Sequence, residues 1–143
     1  VKGYPMKRRS FLRLAAAGIT LPMLSMPALA ADRIFYTPGL AEKAMADGKV
    51  ILLDFWTNWC STCAAQDRVI GEFRAQNPAY DKAITFITVD WDVYADGDLS
   101  KALQIPRRST LVALKGKKEI GRLVAATWPA DIKALLDATL AAT

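Results

Sequence analysis

Cys60 and Cys63 are the only two cysteines of this 143-residue chain, and they stand three positions apart as Cys-Ser-Thr-Cys. Such a pair suits three chemistries: thiol–disulfide exchange, a structural disulfide, or a metal site. A structural zinc site takes four ligands, and the chain has no histidine to add to its two thiols. A disulfide that closes so short a loop constrains the unfolded chain little. The flanking residues favour exchange. Val50 to Leu53 is an apolar, partly β-branched run, the pattern of a strand buried on both faces, and Asp54 interrupts it. Beyond Cys63 the period changes: Val69, Ile70 and Phe73 share one helical face, with Gln66, Asp67, Arg68 and Arg74 elsewhere. Cys60 is thereby predicted where a central strand gives way to a helix. Unpaired N–H groups and the positive end of the helix dipole stabilise a thiolate there. A C-x-x-C in that setting reads as a redox pair.

The whole segment Leu53-Asp54-Phe55-Trp56-Thr57-Asn58-Trp59-Cys60-Ser61-Thr62-Cys63 closely resembles the active-site segment of the thioredoxin superfamily. Asp54, Trp56, Trp59, Cys60 and Cys63 match that family's acidic, aromatic and cysteine positions one for one. The resemblance extends over Asp32 to Ala142, where it rests on element order. It implies an α/β thioredoxin fold, a central mixed sheet flanked by helices in the order β-α-β-α-β-α-β-β-α. It also implies the roles. Cys60 is the exposed nucleophile, and Cys63, buried one turn into the helix, resolves the mixed disulfide. Burial in an apolar strand, with no cation near in sequence, is expected to raise the pKa of Asp54, so that it takes the proton from Cys63. The alternative is a hydrogen-bonded strand-end aspartate. Trp59 shields the site and lines the docking surface, whereas Trp56 is equally well explained as core. Ser61 and Thr62 occupy the positions that tune the reduction potential.

One departure stands out. The family carries a cis-proline facing the cysteines, and alignment of Thr110-Leu111 with that motif puts Ser109 in its place. Pro106 lies too early. A cis bond before serine costs about 2.5–4 kcal/mol, so Arg108–Ser109 is predicted trans, with Ser109 facing Cys60. Arg108 and Ser109 join Trp59 as expected substrate-binding residues. Arg107 and Arg108 either flank the site and favour acidic partners or form a plain solvated pair.

The net charge of +5 is unevenly placed. Lys2, Lys7, Arg8, Arg9 and Arg13 fall in the first thirty residues, which hold no acidic residue, and the remainder carries 14 of each sign. A nucleic-acid partner has no electrostatic support in a neutral domain. With Met6 as the initiator, Lys7-Arg8-Arg9-Ser10-Phe11-Leu12-Arg13 resembles a twin-arginine export signal. Leu14 to Leu21 is too short to span a bilayer of roughly 30 Å. Ala28-Leu29-Ala30 offers the small residues at which signal peptidase cuts. The expected organisation is an export signal over 1–30, cleaved, and a single domain over 31–143. The expected location is the periplasm, with the membrane met only transiently.

The remaining elements are predicted as follows. Ile34 to Tyr36 is an edge strand, and Thr37 caps a helix that starts at Pro38 and ends at Ala46 before Asp47-Gly48. The strand Val50 to Phe55 and a helix from Cys60 to Gln76 follow. Ile84 to Val89 is a strand, Asp90 to Asp98 a loop, and Asp98 to Leu103 a short helix. Thr110 to Leu114 and Glu119 to Val124 form a hairpin, and Pro129 to Leu140 a terminal helix. Asp90, Asp92, Asp96 and Asp98 lack the EF-hand spacing and read as a solvated loop with a helix cap rather than a calcium site. The expected function is an exported thiol–disulfide oxidoreductase acting on protein thiols, a reductant fed by a membrane electron donor. It calls for no cofactor and no metal. The alternative is a Cu(I)-handling module that uses the same two thiolates; a third reading is a non-catalytic interaction domain.

Overall fold

A computed structural model describes residues 33–143, and the expected export signal over 1–30 lies outside them. In chain order the elements are α1 (Leu40–Ala46), β1 (Val50–Trp56), α2 (Ser61–Gln76), α3 (Ala79–Ala83), β2 (Thr85–Asp90), α4 (Trp91–Tyr94), α5 (Asp98–Ala102), β3 (Thr110–Lys115), β4 (Lys118–Val124) and α6 (Pro129–Ala141). The sheet order is β2-β1-β3-β4. The apolar run accounts for the central place of β1, which pairs parallel with β2 and antiparallel with β3. Ile51, Leu53 and Phe55 enter one core with Ala41, Ile87 and Val112. Val50 and Leu52 enter the other, with Val69, Ile70, Leu111, Ile132 and Leu136. Alternate side chains thus bury both faces of one strand. The rigid two-sided anchoring fixes where β1 ends, and the cysteines begin there.

Three local expectations are corrected. The edge strand at Ile34 to Tyr36 is reduced to one parallel bridge between Phe35 and Thr88, because Thr37-Pro38 turns the chain away. The first helix is capped by Gly39 rather than Thr37. Gly39 has φ 92°, a left-handed conformation glycine takes without a Cβ penalty, and its N–H donates to Glu42 Oε2 at 3.0 Å. The predicted loop from Asp90 contains the single turn α4, held by the Asp92 N–H donating to Asp90 Oδ1 at 3.0 Å. The five-residue α3, too short to show a helical period, buries Tyr80 against the second core.

Candidate active site

Cys60 is the N-cap of α2 and follows directly on the loop that leaves β1. Its sulfur accepts the N–H of Cys63 at 3.2 Å, so one of the unpaired donors of the helix start points at it. Both cysteines are free thiols. Cys63 is fully buried, and Cys60 is only 7% exposed. The expectation of an openly exposed Cys60 is therefore corrected: it is the outer of the two, but Ser109 lies over it.

Ser109 Oγ lies 3.1 Å from Cys60 Sγ and 3.3 Å from Cys63 Sγ. A hydroxyl has one proton and two lone pairs. It can therefore donate to a Cys60 thiolate while accepting from the Cys63 thiol. No peptide bond is cis among the described residues, and Ser109 instead has φ 62°. Its N–H donates to the Phe55 carbonyl at 2.7 Å, and its own carbonyl accepts from Ala125 N–H at 2.8 Å. Gln66 completes the clamp: its Nε2 donates to the carbonyls of Ser109 at 3.1 Å and Ala126 at 2.9 Å. The sequence reading missed Gln66. The expectation that Gln66 lies off the apolar face of α2 is corrected: it is fully buried on the same face as Cys63, Val69 and Ile70, three or four residues from each.

The two thiols diverge in acidity. For Cys60, burial pushes the thiol up. Hydrogen bonds from the Cys63 side chain, Ser109, the Cys63 backbone and Arg108 outweigh it and bring the pKa down to about 7. For Cys63, burial and the hydrogen bond to Cys60 push the thiol up. The outer sulfur is thus the one that ionises near neutral pH, while the inner one holds its proton more tightly.

Asp54 sits in the middle of β1, almost wholly buried, with one carboxylate oxygen lacking any partner. Burial first, and then the charge of Asp67, push its carboxyl well above the usual range, against the pull of Arg33. The sequence offered no nearby cation. The fold supplies one, with Arg33 Nη1 3.8 Å from Asp54 Oδ2.

Trp59 is 59% exposed beside Cys60 and is held from two sides. Its indole N–H donates to Asp92 Oδ2 at 2.8 Å, and the Arg108 guanidinium lies 4.3 Å from its ring centroid. Arg108 is brought to the site and Arg107 is not: Arg107 is exposed and turns back onto the Arg108 carbonyl. Of the aspartates from the end of β2 onward, Asp90 caps α4 and Asp92 anchors Trp59.

The family model for thioredoxin matches residues 38–138. The chain belongs to the thioredoxin family. Thioredoxin-1 of Saccharomyces cerevisiae is 31% identical over 99 residues, covering 69% of this chain and 89% of its own length. The thioredoxin of Coprinus comatus is 30% identical, covering 70% of this chain and 90% of its own. Among solved structures, Trxlp of Edwardsiella tarda superposes with a TM-score of 0.63 at 23% identity, covering 72% of this chain and 97% of that one. Membership makes the protein a thiol–disulfide oxidoreductase, of a family that acts on protein disulfides and thiols, with Cys60 and Cys63 close together.

In this chain the loop of Ser109 is built differently from one that carries a proline. Proline fixes φ near −65° and has no N–H. At φ 62°, with its N–H bonded to Phe55, the Ser109 position does not accept proline without rebuilding. The hydroxyl takes over part of the work at the sulfurs. A hydrogen bond to a charged group contributes about 1.5–3 kcal/mol, so Ser109→Ala moves the midpoint of Cys60 alkylation upward by about one pH unit or more. The iodoacetamide rate against pH reads this directly, and an unmoved midpoint assigns the low Cys60 pKa to Cys63 and Arg108 without Ser109.

Proposed function

We propose that the protein is an exported reductant of protein disulfides. Cys60 thiolate attacks a substrate disulfide, and Cys63 then attacks Cys60 sulfur and releases the reduced substrate. Asp54 accepts the Cys63 proton, while Trp59, Arg108 and Ser109 receive the substrate beside the sulfurs. The observation that carries the reading is a Cys60 sulfur bonded by Ser109 and the Cys63 N–H, with Cys63 sealed beneath it. The reducing direction is supported by a Cys60 pKa of about 7. Strong oxidants stabilise their thiolate much further, to a pKa of about 3.5, against about 7 for thioredoxin. The deciding measurement is the potential of the Cys60–Cys63 couple against glutathione. A value near about −270 mV supports a reductant fed by a membrane electron donor, and one near about −120 mV replaces it with an oxidase role.

Export rests on the basic, acid-free first thirty residues. Replacing Arg8 and Arg9 by lysine is expected to leave the precursor in the cytoplasm, with mature protein starting at Ala31 found only for the parent. Unchanged export assigns the general secretory route, and retention of the segment in the mature chain removes the signal-peptide reading. The Cu(I) alternative uses the same two thiols and is favoured by the lack of a proline ring over them. Copper titration of the reduced protein, compared with insulin reduction, separates the two.

A further inference from the structure

A cleft of about 720 Å3, which neither cysteine nor Ser109 lines, opens along β2, α2 and α3. Asp54 lines its floor. Asp67, one turn beyond Cys63 on α2, and Arg33, from the segment before α1, line its mouth. Arg33 joins the two carboxylates: Nη2 donates to Asp67 Oδ2 at 2.7 Å, while Nη1 lies 3.8 Å from Asp54 Oδ2 and donates to Thr88 Oγ1 at 3.2 Å. Side-chain exposure rises outward, from 11% for Asp54 to 27% for Asp67 and 34% for Arg33. The buried Asp54 Oδ1 has no partner. A base in that position must return each proton it takes, and its surroundings on the sheet offer no route. Its neighbours on β2 and β3 are Thr88 and Leu111, which carry no charge. Cys60 is the other ionisable group felt by Asp54, and it is the sulfur that must stay ionised. Arg74 and Asp81, deeper along the cleft, are paired with each other.

We propose that Asp67 is the exit for the proton that Asp54 takes from Cys63, with Arg33 as the positioning residue that holds the two carboxyl groups together. This rests on the exchange mechanism above. As Cys63 sulfur forms its bond to Cys60 sulfur, the bond from Cys60 to the substrate sulfur breaks, and the substrate leaves as a thiolate with that electron pair. The Cys63 proton passes to Asp54, then to Asp67, then to water in the cleft. Reduction of the Cys60–Cys63 disulfide runs the same path inward. The two carboxyl groups share one guanidinium, Arg33, which keeps them side by side at the cleft.

The reaction of the reduced full chain with dithiobis(nitrobenzoic acid) separates the steps in one trace. The first thionitrobenzoate reports attack by Cys60, and the second reports Cys63 resolving the mixed disulfide. Asp67→Asn is expected to slow the second phase about tenfold at neutral pH, less than the roughly hundredfold loss of a positioned base itself. It also moves the pH midpoint of that phase down, since the Asp67 charge no longer opposes ionisation of Asp54. Arg33→Met moves the midpoint up, and Asp67→Glu restores the parent profile. The first phase shows in each trace whether Cys60 and the fold survive the substitution. If Asp54→Asn slows the second phase while neither Asp67→Asn nor Arg33→Met moves its midpoint, the exit path is wrong and the base stands. If Asp54→Asn also leaves the second phase unchanged, the base itself is wrong.

Discussion

Cys60→Ser abolishes reduction of protein disulfides, whereas Cys63→Ser stops the reaction half-way and accumulates covalent adducts with substrates. The asymmetry follows from the site. Cys60 is the more acidic sulfur, with a pKa of about 7, and the outer one. Cys63 is fully buried and keeps its proton until an adjacent mixed disulfide gives it something to attack. The rate depends on the thiolate fraction of the attacking sulfur, so a serine at Cys60 leaves no nucleophile in reach. Insulin turbidity gives the first result, and non-reducing gels with mass spectrometry the second. Faster alkylation of Cys63 than of Cys60 in the reduced protein at neutral pH reverses the two roles. The same experiment on Cys63→Ser dates the adduct: it is stable to dilution and is released by added dithiothreitol.

Asp54→Asn slows the resolving step by about a hundredfold, the size expected when a positioned general base is removed. It also changes how stability depends on pH. Burial, with the Asp67 charge, raises the folded-state pKa of Asp54 above the unfolded value, so the native state binds the extra proton. The contribution is therefore fully present below the unfolded pKa and is lost as pH rises through the folded one. Urea unfolding of the oxidised protein, in which the cysteines do not titrate, is expected to show stability falling from mildly acidic toward neutral pH. In Asp54→Asn that fall is absent. A parent protein whose stability stays flat across the same window, as in Asp54→Asn, shows that Asp54 ionises as readily folded as unfolded. Its role as a base would then lose its physical ground.

The sequence carried the fold at the places where periodicity is long or turn chemistry is strong. A fully apolar run identified β1 as a central strand, and the change of period after Cys63 identified α2 starting at Cys60, which the structure makes its cap. The Lys115-Gly116-Lys117-Lys118 stretch marked the hairpin of β3 and β4. Short elements escaped, because one turn of helix, as in α3 or α4, holds too few residues to display a period. Thr37-Pro38 misled for a related reason: as a helix start it is locally sound, but the chain uses it as a turn and begins the helix at a left-handed Gly39.

The site divides along the same line. Cys60, Cys63 and Asp54 were legible because they are neighbours in sequence, bound by one strand–helix junction. That junction alone determines a thiol at a helix start with a carboxyl in the strand before it. The family resemblance also placed Ser109 opposite the sulfurs, by aligning Thr110-Leu111 with the family's proline motif, though not its left-handed backbone or the Gln66 clamp. What the chain order does not encode is which distant side chains converge. Arg33 reaches Asp54 only because the Phe35–Thr88 bridge lays the segment before α1 beside β2. Arg108, and not Arg107, stacks on Trp59 because of the turn between α5 and β3. Both are decided by tertiary structure for one reason. A pKa or a hydrogen bond depends on separations of a few ångströms, and residues far apart in the chain acquire such separations only when the sheet closes.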